Sequence, residues 1–274
     1  MKRNNILLLI VLCLLCSCDD VIDVDVKKEQ EALVVEGWLT NQDRLHYVKL
    51  YKTIPFFNKP EFPPVQHAVV TLKDNAGHTE VLEEAEPGIY SIRMRGRVGR
   101  IYTLSIQSDV GEYEAVTEMK RLGTSLDSVT YVYKEKSVLY ENPGYYPLIS
   151  GQEKKGKGDY LLLKIARNGS PLLSARDINL FSDEFVDGNY IKQAEVFLKD
   201  PLQKDDIIYF EGWSLTEDAF RFWLDIQTQL RNGGIFSVPA TNTRTNVVKL
   251  TSNSLNVTGY FGASAVVAVD SRVK

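Results

Sequence analysis

Few side chains in this sequence are arranged for chemistry. The three histidines, His46, His67 and His78, stand at no metal-ligand spacing from one another or from a cysteine. No zinc site is therefore read, and neither a metal nor a cofactor is expected. The adjacent acids Asp183-Glu184 and Asp205-Asp206 are of the type a glycoside hydrolase needs, if two carboxylates faced each other across a cleft. Solvated turn positions account for the same residues. Gly262-Ala263-Ser264-Ala265-Val266 lacks the second glycine of a nucleophile elbow. The sequence contains no phosphate loop and no dinucleotide fingerprint. No catalytic residue is assigned.

The clearest chemistry belongs to a cysteine. Met1-Lys2-Arg3 opens the chain with two positive charges, and residues 6–15 are an unbroken apolar run. That pattern is a secretory signal, too short to span a bilayer comfortably. The run ends in Leu15-Cys16-Ser17-Cys18, which resembles the lipobox of bacterial lipoproteins. The resemblance implies cleavage after residue 17 and lipidation of Cys18. An ordinary secretory leader with a chance cysteine is the competing reading. Cys13 and Cys16 leave with residues 1–17, so Cys18 becomes the single remaining thiol and no internal disulfide is possible. Several acyl chains, at about 0.8 kcal/mol per buried methylene, would make a durable membrane anchor. Asp19 and Asp20 follow at once, then Asp23 and Asp25. Acids in this place resemble the surface-export signal of Bacteroidota lipoproteins. They also suit a solvated tether over residues 18–30, and their spacing matches no calcium loop.

Charge narrows the partners. The formal net charge is −4, and loss of Lys2 and Arg3 leaves 30 basic against 36 acidic side chains, or −6. Nucleic acid, which is bound by neutralising phosphates, is a poor match. The densest basic run, Lys154, Lys155 and Lys157, sits among glycines and reads as a solvated loop.

The elements that would position any site are mostly strands. Short apolar or alternating runs occupy residues 33–39, 46–51, 68–72, 79–82, 88–92, 100–106 and 113–119, with turn residues such as Asp74-Asn75-Ala76-Gly77 between them. Strands at such spacing predict a β-sandwich over residues 31–120. The proline-rich stretch from Ile54 to Pro64 reads as a loop that carries Phe56, Phe57 and Phe62. A change of character at residues 120–128 marks a boundary, and residues 121–274 form a second β-rich domain with one helix. Its strands are predicted at 129–133, 159–166, 172–181, 194–198, 206–213 and 264–269. Residues 140–158 read as a loop, Asn168-Gly169 as a type I′ hairpin turn, and Gly259-Tyr260-Phe261-Gly262 as an aromatic turn. Ser214-Leu215-Thr216-Glu217 is a capping box for a helix over 215–231, with Asn232-Gly233-Gly234 as its stop. Ala219, Phe222, Trp223, Ile226 and Leu230 share one face, and core packing is the expected use of that stripe.

Several segments in order carry a family resemblance. They are Leu33-Val34-Val35-Glu36-Gly37-Trp38-Leu39, Pro55-Phe56-Phe57, Pro63-Pro64-Val65 before Ala68-Val69-Val70-Thr71-Leu72, Gly88-Ile89-Tyr90, Gly99-Arg100-Ile101-Tyr102-Thr103-Leu104, Phe181-Ser182-Asp183-Glu184 with Gly188, the Leu215 to Leu230 helix, and Gly259-Tyr260-Phe261-Gly262-Ala263-Ser264. The series resembles the Bacteroidota outer-membrane lipoproteins known as domain of unknown function 4249, over nearly the whole mature chain. The first half also resembles transthyretin-like or immunoglobulin-like modules. The family resemblance implies a lipid-anchored protein, often encoded beside a TonB-dependent transporter, with no activity and no catalytic residues to carry over. The expected role is a non-enzymatic accessory or ligand-capture partner of such a transporter at the cell surface. A surface glycan-acting hydrolase and an adhesin or envelope scaffold remain the alternatives.

Overall fold

The computed structural model describes residues 31–54, 62–232 and 242–274. Cys18, Asp19, Asp20 and the rest of the leader and tether lie outside these residues, as do Phe56 and Phe57. Residues Glu31–Lys274 form one compact unit.

Among the described residues the chain is mainly β. In order it forms β1 (Ala32–Thr40), β2 (Arg44–Lys52), β3 (Val69–Asp74), β4 (Thr79–Val81), β5 (Glu83–Glu86), β6 (Ile89–Met94), β7 (Ile101–Ser108), β8 (Gly111–Glu118), β9 (Ser128–Lys134) and β10 (Gly144–Gln152). There follow β11 (Tyr160–Arg167), β12 (Ser170–Pro171), β13 (Asn179–Ser182), β14 (Tyr190–Glu195), β15 (Ile207–Leu215), the helix α1 (Glu217–Arg231), β16 (Val247–Lys249), β17 (Asn256–Ser264) and β18 (Val266–Arg272).

The period of two decides which side chains go inward. In β2, His46, Val48 and Leu50 are buried while Leu45, Tyr47 and Lys49 are exposed. In β7, Tyr102, Leu104 and Ile106 are buried in the same alternation. These inward faces build a first sandwich from the sheet β17-β1-β2-β6-β5 and the sheet β16-β8-β7-β3-β4. Leu33, Val35, Leu50 and Tyr90 from one sheet meet Leu72, Leu104, Ile106 and Tyr113 from the other. A second sandwich packs the sheet β14-β10-β9 on the sheet β12-β11-β15-β18, with β13 also paired to β11. Tyr146 and Ile149 meet Leu163, Ile165, Ile208 and Phe210 in its core.

Four details differ from the sequence reading. Residues 140–158 are not one loop, because β10 occupies the centre of its sheet between β9 and β14. Burial of Tyr146 and Ile149 there outweighs the donor that Pro147 removes. Gly259-Tyr260-Phe261-Gly262 is not a turn but the middle of β17. Gly259 is at φ +91, and a Cβ there would lie 2.1 Å from the Val35 carbonyl oxygen, so glycine marks a close strand approach. The helix N-cap is Thr216, whose Oγ1 accepts the Ala219 amide at 3.1 Å, and not Ser214, which ends inside β15. Finally, both sheets of the first sandwich take a strand from the last thirty residues: β17 pairs in parallel with β1, and β16 pairs with β8. The two sequence halves are therefore interleaved rather than consecutive.

Candidate functional site: an aromatic cleft under the helix

Strand alternation leaves one face of β1 and β17 outside the first core. Val34, Glu36 and Trp38 of β1 stand there beside Thr258, Tyr260 and Gly262 of β17 in register. The outer face of β11 and β15 supplies Leu162, Lys164, Glu211 and Trp213, with Lys164 opposite Glu211 and Leu162 opposite Trp213. Helix α1 lays Ala219, Phe222 and Trp223 over these strands, and the apolar residues form a third core. A cleft of about 640 Å³ remains, lined by Trp38, Lys164, Phe222, Trp223 and Tyr260, with Tyr47, Lys49 and the Glu36 carboxylate, which accepts from the Tyr51 hydroxyl, also in its wall. That volume is in the range of small-ligand sites.

All three tryptophans of the chain meet here. The Trp38 ring lies 6.1 Å from Trp213, 6.1 Å from Trp223 and 5.9 Å from Tyr260, stacked on the last. Phe222 stacks on the other ring of that pair, 4.7 Å from Tyr260. Gly262 makes room for this arrangement, because a Cβ there would fall 2.4 Å from the Trp38 ring. Polar tips are fixed by partners. Trp38 Nε1 donates to Ser264 Oγ at 2.8 Å, Trp213 Nε1 to Glu211 Oε2 at 2.9 Å, and Tyr260 Oη to Asp218 Oδ2 at 2.8 Å. Burial, together with the Asp218 acceptor, raises the Tyr260 phenol above its ordinary range. Trp223 Nε1 is buried and, among the described residues, donates to nothing.

Arg44 stands over the Trp213 ring at 5.8 Å from its centroid, and Lys164 stands closer. Its Nζ lies 3.5 Å from the Trp213 ring centroid and 5.8 Å from that of Trp223. Burial lowers its pKa to about 8, Glu211 pulls it up and Arg44 pushes it further down. Glu211 stands opposite Lys164 and attracts it, while its Oε1 also accepts from Gln42 Nε2 at 3.3 Å and from Tyr209 Oη at 3.2 Å. Among the described residues no carboxylate lies within ion-pair distance of Lys164. The cleft thus offers apolar walls, a desolvated cation at Lys164 and a carboxylate at Glu36.

Comparison with known proteins adds a family. A family model described as Domain of unknown function (DUF4249) matches residues 19–269. The chain belongs to this family. No curated protein matches it. Among solved structures, a two fibronectin type-III domain segment from chicken tenascin aligns at 12% identity, over 69% of this chain and 92% of that one, with a TM-score of 0.20. The sandwich description of this DUF4249 chain rests on its own sheets.

The residues singled out in the sequence of this DUF4249 chain scatter. His46 is buried in β2, where burial and Arg44 hold its pKa down, and its Nε2 lies 3.4 Å from the Gln42 carbonyl. His67 and His78 are exposed beside Glu84 and Asp74. Ser264 is fully buried and donates to the Ser214 carbonyl at 2.6 Å, a packing role. Asp206 is clamped by Arg167 Nε at 2.7 Å, Asn168 Nδ2 at 2.8 Å and the Gln203 amide at 2.7 Å. Asp183 is buried and accepts the Gly158 and Asp159 amides at 3.1 Å each, while Glu184 is exposed. Lys154 donates to the Leu122 carbonyl at 2.9 Å, so the basic loop is tied down. Of the helix stripe, Ala219 and Phe222 are core, Trp223 lines the cleft and Leu230 is exposed. The sequence assigns no site to the cleft residues Trp38, Lys164 and Tyr260, nor to Trp213 under the Lys164 ammonium. The one local signal was a lysine inside the apolar run Leu161-Leu162-Leu163-Lys164-Ile165.

Proposed function

We propose that this protein is a lipid-anchored surface lipoprotein that captures a carboxylate-bearing ligand in the aromatic cleft and partners a TonB-dependent transporter. The ligand-capture part is carried by one observation, the Lys164 ammonium held over Trp213 in an open cleft with no carboxylate at ion-pair distance among the described residues. A buried cation is costly unless something completes it, and an anionic group on a ligand would do so. The flat rings of Trp38 and Trp223 in the cleft wall suit a ligand with a flat apolar face. An oligosaccharide that carries a carboxylate has both features and is the first class to test. Anchoring is supported by Leu15-Cys16-Ser17-Cys18, surface address by Asp19 and Asp20, and the transporter partnership by the family resemblance.

The three tryptophans provide the readout. Titration with an acidic oligosaccharide should quench or shift their fluorescence saturably, whereas its neutral counterpart should bind about tenfold more weakly or worse, since a hydrogen bond to a charged group is worth about 1.5–3 kcal/mol. Equal binding of the two, or none of either, would sink the capture reading. Pull-down from detergent-solubilised outer membrane tests the partner separately. Recovery of the protein alone would remove the transporter from the proposal and leave the cleft untouched. Protease shaving of whole cells tests the surface address.

A further inference from the structure

Apart from the cleft, three acids converge at one end of the second sandwich. Glu153 directly follows β10, Asp159 directly precedes β11, and Asp183 directly follows β13. The pairing of β11 with β13 sets Tyr160 opposite Ser182, which brings Asp159 and Asp183 side by side, and the Asp183 amide donates to the Asp159 carbonyl at 3.1 Å. A bridge between Thr124 and Glu153 brings in the third acid. One carboxylate oxygen from each of the three lies within 4.8 Å of the others.

Two of these acids are provided for by the protein. Asp183 accepts the two loop amides described above. Asp159 faces Arg121, whose Nη2 lies 2.7 Å from Oδ2 and whose Nε lies 3.2 Å from Oδ1. Glu153 differs. It is only 2% exposed, its Oε2 accepts from the Thr124 hydroxyl, and its Oε1 is wholly buried with no donor among the described residues. A buried carboxylate oxygen without a donor is expensive. With all three ionised, three acids against one guanidinium would leave two negative charges uncompensated, and burial with the neighbouring Asp159 and Asp183 holds the Glu153 carboxyl above its ordinary range.

We propose that Glu153, Asp159 and Asp183 hold one calcium ion, with Glu153 Oε1 as the ligand oxygen that the fold leaves open. The donors are all hard oxygens, the set calcium prefers, and Ca–O distances of about 2.3–2.6 Å let one ion span ligands up to about 5 Å apart. Two net negative charges match a divalent ion. A small cavity of about 160 Å³, which Thr124, Asp159 and Asp183 line together with apolar side chains such as Leu161, Phe181 and Val186, leaves room for water ligands beside the two aspartates. The ion would fasten the loop after β10 to the loop after β13, which already meet where the Gly156 amide donates to Asp187 at 2.6 Å. This site is independent of the cleft and of the function proposed for it.

The test is calcium titration of the full-length protein, purified in detergent and stripped with a chelator. Calorimetry should show one saturable site at or below the about 10⁻⁴–10⁻³ M typical of extracellular modules. Saturation about a hundredfold over Kd should raise Tm by about 5–10 °C. Magnesium, whose shorter bonds suit a tighter cage, should bind about tenfold more weakly or worse. Glu153→Gln should abolish the calcium response while its metal-free Tm stays at or above wild type, because like-charge repulsion is relieved. Glu184→Gln, next to the site but exposed, should keep the response. The proposal is overturned by absence of saturable binding to wild type up to about 10 mM calcium. A response that persists in E153Q overturns it equally.

Discussion

At the residue scale, Lys164 and Gly262 make opposite kinds of prediction. In the folded chain Lys164 releases its proton at about 8, against an ordinary value near 10.5. The unfolded chain therefore binds the extra proton between those values, and stability rises with pH across that window by about 3 kcal/mol. Below about pH 8 the full cost of the buried charge is present. Replacing the lysine by methionine keeps the stem and removes the charge. Lys164→Met should match or exceed wild-type stability at pH 7, and the difference between the two proteins should shrink as pH rises to about 10. Denaturant midpoints at the two pH values check this, and a pH-independent difference would contradict it. Binding of an acidic ligand should move the other way and weaken above about pH 8 as the ammonium is lost. Gly262 tests shape rather than charge. Gly262→Ala sets a Cβ 2.4 Å from the Trp38 ring, so the indole must leave its place. A loss of about 1–3 kcal/mol is expected, with a shifted tryptophan emission. An unchanged emission spectrum would show that the cleft tolerates the methyl.

At the element scale, the two hydroxyls before the helix have separate duties. Thr216 caps α1, so Thr216→Ala should cost about 1 kcal/mol and speed hydrogen exchange at the Ala219 amide. Ser214 is 1% exposed, donates to the Lys120 carbonyl at 2.8 Å and accepts the Ala265 amide at 2.8 Å. Ser214→Ala leaves a buried amide unmet and should cost about 2 kcal/mol without changing exchange at Ala219. If S214A frayed the helix and T216A did not, the cap assignment would be reversed. The same two residues show what could be read in advance. The helix period and its acidic first turn are local, so residues 217–231 were legible. The choice of cap depends on where β15 stops, and Ser214 is held in β15 by partners at Lys120 and Ala265, remote in sequence. β2 and β7 were legible through alternation, and Asn168-Gly169 through its turn chemistry: φ is +50 and +82 there, and β12 returns against Ala166 and Arg167. β10 was not, because Pro143, Gly144, Pro147 and Gly151 carry breaker signals that burial in the middle of a sheet overrides.

At the scale of the whole molecule, the cleft and the stability share one cause, the parallel pairing of β1 with β17. It matches Ala32 with Asn256 through Thr40 with Ser264 and has no local sequence signature. That is why Trp38 and Tyr260 could not be placed together from sequence, and why Gly259 and Gly262 read as punctuation instead of close packing. The same pairing predicts how the chain unfolds. Removing residues 247–274 would strip β17 from one sheet of the first sandwich and β16 from the other, and would also take β18 from β15. A nine-residue β1 edge would then stand unpaired, a template for aggregation. A fragment ending near residue 120 should therefore fail to show a cooperative melt, although it contains eight of the ten strands of the first sandwich. The intact protein should instead unfold with coincident far-ultraviolet circular dichroism and tryptophan fluorescence transitions, because its tryptophans sit where the two sandwiches and the helix meet. Two resolved transitions, or a fragment that melts cooperatively by itself, would mean that the sandwiches are autonomous and that the parallel strand is an addition rather than a keystone. The pairing also joins segments more than two hundred residues apart, so refolding should be slow compared with α-helical proteins of the same stability, as stopped-flow fluorescence would show.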